Sequence, residues 1–580
     1  MGRVMTKSSN ISTQYLRFMH WLYARALGFG AKPATGFRTQ PEPRSIGRYA
    51  RGLQLKAGNI MFAGHLVEAP NTLLWDIASP ADGFTQEAHG FGWLDDLASV
   101  GDKQSRKISQ EWVQNWIDIY GRGSGPGWMP DLTGRRLIRW IHHGFMLLQG
   151  IEPKKSEIFF QSLGHQALFL SKRWSKTSLG LPRFEALTGL IYAGLTLDGM
   201  EQHVRPATIA LARECRTQVD STGGIQTRNP EELLEVFTLL TWVSSALTEA
   251  GWVPSSAHLE ALDRIAPTLR FLRHADGSLG RFHGGGKGLE GRLDMALVQS
   301  GNKKVTSGSL VMGYARLSAG RTSIIVDSAP PPTGRASVNG HASTLAFELC
   351  SGRSPLIVNC GSGESFGSDW RRAGRATPSH STLCLNGTSS ASLGHSLSDS
   401  NSVTEALIDG PSSVLYEFPE TNKGLKFEAG HNGYLKNNGL THVRRLDLTL
   451  DGITLSGEDM LLTLDSKDQK PFQKAFETSG LQGIPFQLRF HLHPDVAAEV
   501  DMGGMAVSLA LKTGEIWVFR CDSNAKAFLE PSVYFEKNRL RPRSTKQVVL
   551  SLRAIEYATS VRWSLSKLQE IDLKSREHLE

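Results

Sequence analysis

The apolar residues of this chain change their spacing once, near Gly320, and that change limits the fold more than any single motif does. From about residue 87 to residue 317 they recur every three or four positions, as on one face of a helix. Stretches 108–120, 136–148, 156–174, 184–197, 206–219, 230–247 and 256–273 carry this pattern, each ending at a Gly, a Pro or a short polar break. Asn229-Pro230-Glu231-Glu232 is a strong helix start: a side-chain cap, a proline preset for the first turn, and two acids on the positive dipole end. Beyond Gly320 the pattern alternates. Stretches 322–327, 343–349, 355–359, 381–385, 413–418, 446–450, 486–492, 505–511, 516–520 and 548–552 read as strands separated by Gly, Asn, Asp, Ser and Pro. A run of helices followed by a run of strands predicts an α + β multidomain chain rather than an alternating one. The helical half is expected to be an antiparallel array, of which an α/α toroid is one form, and the strand half a two-sheet antiparallel β-sandwich. The expected division is a basic, partly ordered segment over 1–50, a helical domain over 51–320 and a sandwich over 321–580.

Composition removes several classes. A chain of 580 residues that is 40% apolar and 21% charged is not wholly disordered. No run of about 18 uninterrupted apolar residues occurs, so no transmembrane segment is expected. The formal charge of +8 is modest for this length, but it is uneven. Arg3, Lys7, Arg17, Arg25, Lys32, Arg38, Arg44 and Arg48 stand in the first 50 residues against Glu42 alone, which reads as a basic tail. Residues 15–27 are amphipathic, yet Arg17, His20 and Arg25 interrupt them, so no signal peptide is readable and the literal expectation is a cytoplasmic chain. Cys215, Cys350, Cys360, Cys384 and Cys521 are scattered and form no CxxC pair, which argues against a disulfide framework and a thiolate zinc site. Basic residues are dispersed rather than interleaved with aromatics, so no nucleic-acid partner is expected.

Particular stretches then become informative. Residues 340–347 (GHASTLAF), 356–361 (LIVNCG) and 370–383 (WRRAGRATPSHSTL) resemble the C-terminal domain of the heparinase II/III family. Residues 87–94 (EAHGFGWL), 223–230 (GGIQTRNP) and 276–279 (DGSL) are similar to its helical half, and the resemblance runs from about residue 60 to residue 493. It implies an incomplete α/α toroid followed by an antiparallel β-sandwich, and the activity of lyases that act on uronic-acid polymers.

β-Elimination at a uronate needs donors that neutralise the carboxylate, a base for the C5 proton and an acid for the leaving oxygen. The resemblance implies a toroid Asn, a toroid Tyr and sandwich histidines in these roles, with a zinc nearby held by two His and an Asp. This chain departs from that set. The toroid Asn-His falls at Leu181-Pro182, the Tyr at Glu232, the first sandwich His at Asn339 and the metal-side Asp at Asn359, while His341 and His380 are kept. Zinc at His341 and His380 is disfavoured, because two imidazoles and a neutral amide fall short of the four ligands a structural site takes; no cofactor is required. The resemblance places His380 as the proton-transfer group with His341, Arg228 and Asn339 as further catalytic contacts. Trp370, Arg371, Arg372, Arg375 and Asn229 would hold substrate, Asn229 also reading as a helix cap.

Other polar and aromatic residues read more simply. Trp112, Trp116 and Tyr192 are expected in the core, His283 in a solvated turn, and His491 and His493 on one strand face. The functional expectation is a lyase-like enzyme cleaving an acidic polysaccharide. The alternative is a catalytically degenerate glycan-binding or polysaccharide-biosynthesis-associated protein of the same fold. The resemblance implies the cell envelope or periplasm as location, against the cytoplasm read from the N-terminus.

Overall fold

The computed structural model of the chain describes residues 2–28, 34–39, 42–306, 310–395, 405–419, 424–522, 525–537 and 539–568. Its first part is helical: α1 (Gly2–Gly28), α2 (Tyr49–Lys56), α3 (Asp82–Gly90), α4 (Trp93–Val100), α5 (Lys103–Tyr120), α6 (Pro130–His142), α7 (Gly144–Leu148), α8 (Pro153–Arg173), α9 (Leu181–Thr196), α10 (Val204–Gln218), α11 (Pro230–Glu249), α12 (Ser256–Phe271) and α13 (Arg292–Ser300). A short hairpin, Asn59–Phe62 with His65–Glu68, lies between α2 and α3. From Phe184 onward α9 is buried on every side, which makes it the centre of the array. It crosses α6 at two glycines. A Cβ on Gly189 would stand 2.6 Å from the Gly134 Cα, and one on Gly134 would stand 2.3 Å from the Glu185 carbonyl oxygen, so only glycine permits this approach. Trp116, Trp128 and Trp140 fill the neighbouring core, with the Arg136 guanidinium 4.0 Å above the Trp116 ring. Trp112 is buried with them, and these indoles are core rather than a sugar platform.

The strand half is two antiparallel sheets. One runs in the order Val414–Glu417, Gly424–His431, Thr441–Thr449, Thr454–Leu462, Ala558–Lys567, Ile516–Cys521, Ala506–Ala510, Ala497–Asp501. The other runs Ala527–Tyr534, Arg543–Ala554, Ile484–Leu492, Ser354–Val358, Phe347–Ser351, Thr322–Asp327, Tyr314–Ala319, Leu310–Val311, with Leu383–Leu385 also paired to Ile484–Leu492. Their inner faces share one core. Trp563 of the first sheet stacks at 5.8 Å on Phe347 and meets Phe490 of the second at 4.8 Å. The expected order, helices and then large antiparallel sheets, is the order found.

Three local expectations change. Residues 314–319 form a strand paired with Thr322–Asp327, although their spacing read as helical; Tyr314, Ala315 and Leu317 are buried at positions that mimic a helix face. Ser466–Thr478 is a helix among the strands. The segment read as a basic tail contains a 27-residue helix, α1, whose His20 and Ala24 are buried against the helical body. Lys32 of that basic set lies outside the described residues.

Candidate functional site

The two halves face each other across a cleft of about 460 Å³. Arg48, Arg51, Asp95, Asp96, Arg139 and Arg292 line it from the helices; Ser362, Tyr534, Phe535, Glu536, Lys537 and Arg539 line it from the sandwich. A glycine-rich loop, with Gly285, Gly286 and Gly288, forms a third wall. Most of these charges are matched in place. Arg51 pairs with Glu87 and Asp96, Arg139 with Asp95, Lys287 with Glu536, and Lys537 with Glu231. Burial would push the Asp95 carboxyl up, but Arg139 and His143 hold it below the usual carboxylate range. Arg281 is different. It is 6% exposed, its Nη2 donates to the Phe535 carbonyl, its guanidinium lies 4.0 Å over Tyr534, and its buried Nη1 has no hydrogen-bond partner. Nothing in the spacing of Gly280-Arg281-Phe282 marked this residue; its signal is the orphaned donor.

The residues singled out from sequence gather in a layer beside this cleft. The loop separates them in part: a Cβ on Gly285 would strike Asn229 Oδ1 at 2.5 Å, and Gly284 abuts Asn339. His341 Nδ1 and His380 Nε2 are 3.0 Å apart, and His380 Nδ1 lies 2.9 Å from the Ala376 carbonyl oxygen. A carbonyl only accepts, so His380 Nδ1 carries its proton, and His341 Nδ1 donates to the Nε2 lone pair. Both rings are buried, and burial pulls His380 down to about 4 and holds His341 well below its ordinary value. His283, expected in a solvated turn, is buried as well; its Nδ1 accepts from the His341 backbone N–H, and its Nε2 lies 3.4 Å from Asp327.

The arginines assigned to chemistry or substrate hold the fold. Arg228 directs all five N–H groups at protein: Nε to Met312 O, Nη1 to Ala329 O and Pro330 O, Nη2 to Gly313 O and to the Asp327 carboxylate. No donor is left for a sugar. Arg375, 2% exposed, donates to the carbonyls of Gly340, Ser337 and Glu405. Burial and the nearby Arg371 lower its guanidinium to about 10. Asn229 caps α11, Oδ1 accepting from Glu231 N at 3.0 Å and Glu232 N at 3.2 Å. Arg371 donates to Val338 O and to Asn339 Oδ1, and Arg372 pairs with Glu405. Trp370 is exposed and meets Phe535 edge-on at 5.4 Å, so it flanks the cleft wall. Tyr192 is core, its hydroxyl on the Trp242 carbonyl. His491 is held by Ser532 and the Pro378 carbonyl.

The positions where the resemblance implies zinc do not fit that ion. His380 Nε2 already accepts from His341, and Asn359 Oδ1 accepts from Ser381 N while its Nδ2 donates to Glu348. Among the described residues no group of three His, Cys, Asp or Glu side chains is arranged to hold a metal. At the toroid Tyr position, burial raises the Glu232 carboxyl above its ordinary value.

A helical array followed by a two-sheet antiparallel sandwich is the fold of heparinase III, whose crystal structure matches with TM-score 0.68 and 13% identity over 96% of this chain and 89% of that one. Chondroitin AC lyase of Streptomyces coelicolor A3, in complex with chondroitin sulphate, matches with TM-score 0.51 and 11% identity over 96% and 84%. Residues 306–564 match the family described as Heparinase II/III-like, C-terminal. Over 511 residues the chain is 29% identical to FtsZ-localized protein C of Caulobacter vibrioides (strain NA1000 / CB15N), covering 85% of this chain and 84% of that protein.

Proposed function

We propose that this protein binds an anionic glycan in the cleft between its helical and strand-rich halves without eliminating it. The observation that carries this reading is Arg281: a buried guanidinium on the cleft wall with one N–H unmatched, where a carboxylate or sulfate would complete it. The proton-transfer groups expected of a lyase support the non-eliminating form. His341 and His380 are bonded to each other in a buried layer, and Asn339 stands where the resemblance implies an imidazole. Calorimetry on a panel of uronate polymers, run beside the ultraviolet absorbance of unsaturated uronate product, tests both parts. Binding without absorbance is expected. Absorbance that grows with time overturns the non-eliminating part, and absence of heat with every polymer overturns the glycan part. Arg281→Met should weaken binding about 10- to 100-fold, the worth of a hydrogen bond to a charged group.

A second reading rests on the near-full-length similarity to FtsZ-localized protein C: the chain is recruited to the division site through FtsZ. A fluorescent fusion that forms a midcell band, and co-sedimentation with FtsZ polymers, are the expected outcomes. Diffuse fluorescence together with no co-sedimentation removes this reading and leaves the glycan reading untouched.

A further inference from the structure

Helix Ser368–Arg375 meets the cleft wall through Trp370, which packs against Phe535. Asp369, Arg372 and Ala373 of the same helix border a second concavity, of about 660 Å³, in the strand-rich half. The turn carrying Thr388 and Ser389, the start of the strand Ser392–His395 and the short helix Leu435–Asn438 complete it. It shares no lining residue with the cleft.

Asn438 is what marks this concavity as a binding site. The residue is 8% exposed, and its carboxamide has no hydrogen-bond partner among the described residues. A donor and an acceptor therefore stand unmatched at the floor of the pocket. The segment that carries them is fixed from behind. Gly439 has φ +64°, and a Cβ there would stand 2.1 Å from the Asp468 carbonyl oxygen. Tyr434, at the other end of the same turn, donates its hydroxyl to the Leu383 carbonyl at 2.9 Å. A site held in place before its ligand arrives loses little to ordering.

The rest of the lining suits hydroxyl groups rather than charge. Ser389 Oγ accepts from the Thr377 backbone N–H, which leaves its own O–H to donate. Thr388 Oγ1 donates to the Leu385 carbonyl, which leaves its lone pairs to accept. Ser392 and Asn437 are exposed and add groups that do both. Arg372 already holds Glu405 at 3.1 Å, and Asp369 would repel an anion. A sugar hydroxyl donates and accepts at once, and an acetamido group offers one N–H and one carbonyl in the geometry of a carboxamide. Both match this set, whereas a carboxylate or sulfate does not. A peptide would need an apolar slot for an anchoring side chain. Of the lining residues only Leu393 and Tyr434 are large and apolar, and Tyr434 is 2% exposed.

We infer that this pocket is a second carbohydrate site, which takes an uncharged pyranose residue, a hexose or an N-acetylhexosamine, on Asn438 and the hydroxyls around it. The inference is independent of what the cleft binds. The test is saturation-transfer NMR on the full chain, titrated in turn with glucose, galactose, mannose, N-acetylglucosamine and N-acetylgalactosamine, with glucuronate as the charged comparison. Saturable transfer from at least one uncharged sugar is expected; a response confined to the two acetamido sugars assigns the Asn438 carboxamide to the acetamido group, and one shared with the hexoses assigns it to hydroxyls. Asn438→Ala should weaken binding about 3- to 10-fold, the worth of one neutral hydrogen bond. Ser392→Trp puts an indole into the pocket from an exposed position and should abolish the transfer. If Asn438→Ala lowers the thermal midpoint, Ser392→Trp and Asn437→Ala carry the test, because both positions are exposed. Absence of saturable transfer from every uncharged sugar overturns the inference. So does transfer that is unchanged in Ser392→Trp, or glucuronate bound more tightly than all five uncharged sugars.

Discussion

Replacing Arg228 by methionine should damage the fold rather than a reaction, and the contacts set the size of the effect. The guanidinium joins the turn before α11 to the carbonyls of Met312, Gly313, Ala329 and Pro330 and to the wholly buried Asp327. Methionine can still lie along the Tyr314 ring, but Asp327 keeps only the Ser343 hydroxyl at 2.6 Å and His283 at 3.4 Å. Removing one member of a buried ion pair costs about 3–5 kcal/mol, because the other charge is left without compensation. With a urea slope of about 3 kcal/mol per molar, the upper range for small proteins, the midpoint should fall by about 1–1.7 M. Asp327→Asn added to the same chain removes the stranded charge and should recover a substantial part of that loss. Burial would raise the Asp327 carboxyl, whereas Arg228, His283 and Ser343 hold it below the usual carboxylate range. Its contribution is therefore present above about pH 4, where the unfolded carboxyl is ionised, and is lost as pH falls through the lower folded value. Unfolding followed by intrinsic fluorescence across that range is the assay. A shift in Arg228→Met below about 0.3 M, or no recovery in the double variant, would refute the clamp and return Arg228 to the list of candidate ligand contacts.

Other outcomes follow from the same contacts. Asn229→Ala should cost about 1 kcal/mol by urea unfolding, the worth of a helix cap, and leave glycan affinity unchanged. The buried histidines give an acid limb: burial lowers His142 and His491 to about 3 and His380 to about 4, so below about pH 6.5 the unfolded chain takes up protons that the folded chain refuses. Stability should be full above that value and fall as pH drops toward the folded ones, by up to about 1.4 kcal/mol per pH unit for each such ring. Urea midpoints at a series of pH values measure the slope, and His491→Gln should make it shallower.

The fold was legible because periodicity records which faces are buried. The Asn229-Pro230 start, the indoles of Trp112 and Trp116, and the ten predicted strand stretches, each overlapping an observed strand, could be read from spacing alone. The strand at 314–319 could not, because its in-facing residues also satisfy a helical count. The site was less legible for a different reason. Residue types and the resemblance marked Arg228, Arg375 and His380 as site candidates, but not whether their polar atoms face solvent or the carbonyls of the next loop. Arg281 was missed because an unmatched donor is a property of surroundings, which no local pattern encodes. His283 was misread because three glycines follow it; the loop is glycine-rich for close approach to Asn229 and Asn339, not for exposure.

The pairing of charges along the cleft has one more consequence. In an open basic groove a polyanion displaces loosely held counterions, and its affinity falls steeply as salt is added. Here the cations already hold protein carboxylates: Arg51 has Glu87 and Asp96, Arg139 has Asp95, Lys537 has Glu231. A charged ligand entering must exchange partners with these tethered acids instead of releasing mobile ions. The cleft therefore behaves as an ion exchanger whose resident ions are covalently attached. Under the proposed glycan reading, it should favour a ligand whose charges are spaced to match the exchange over one that is merely acidic.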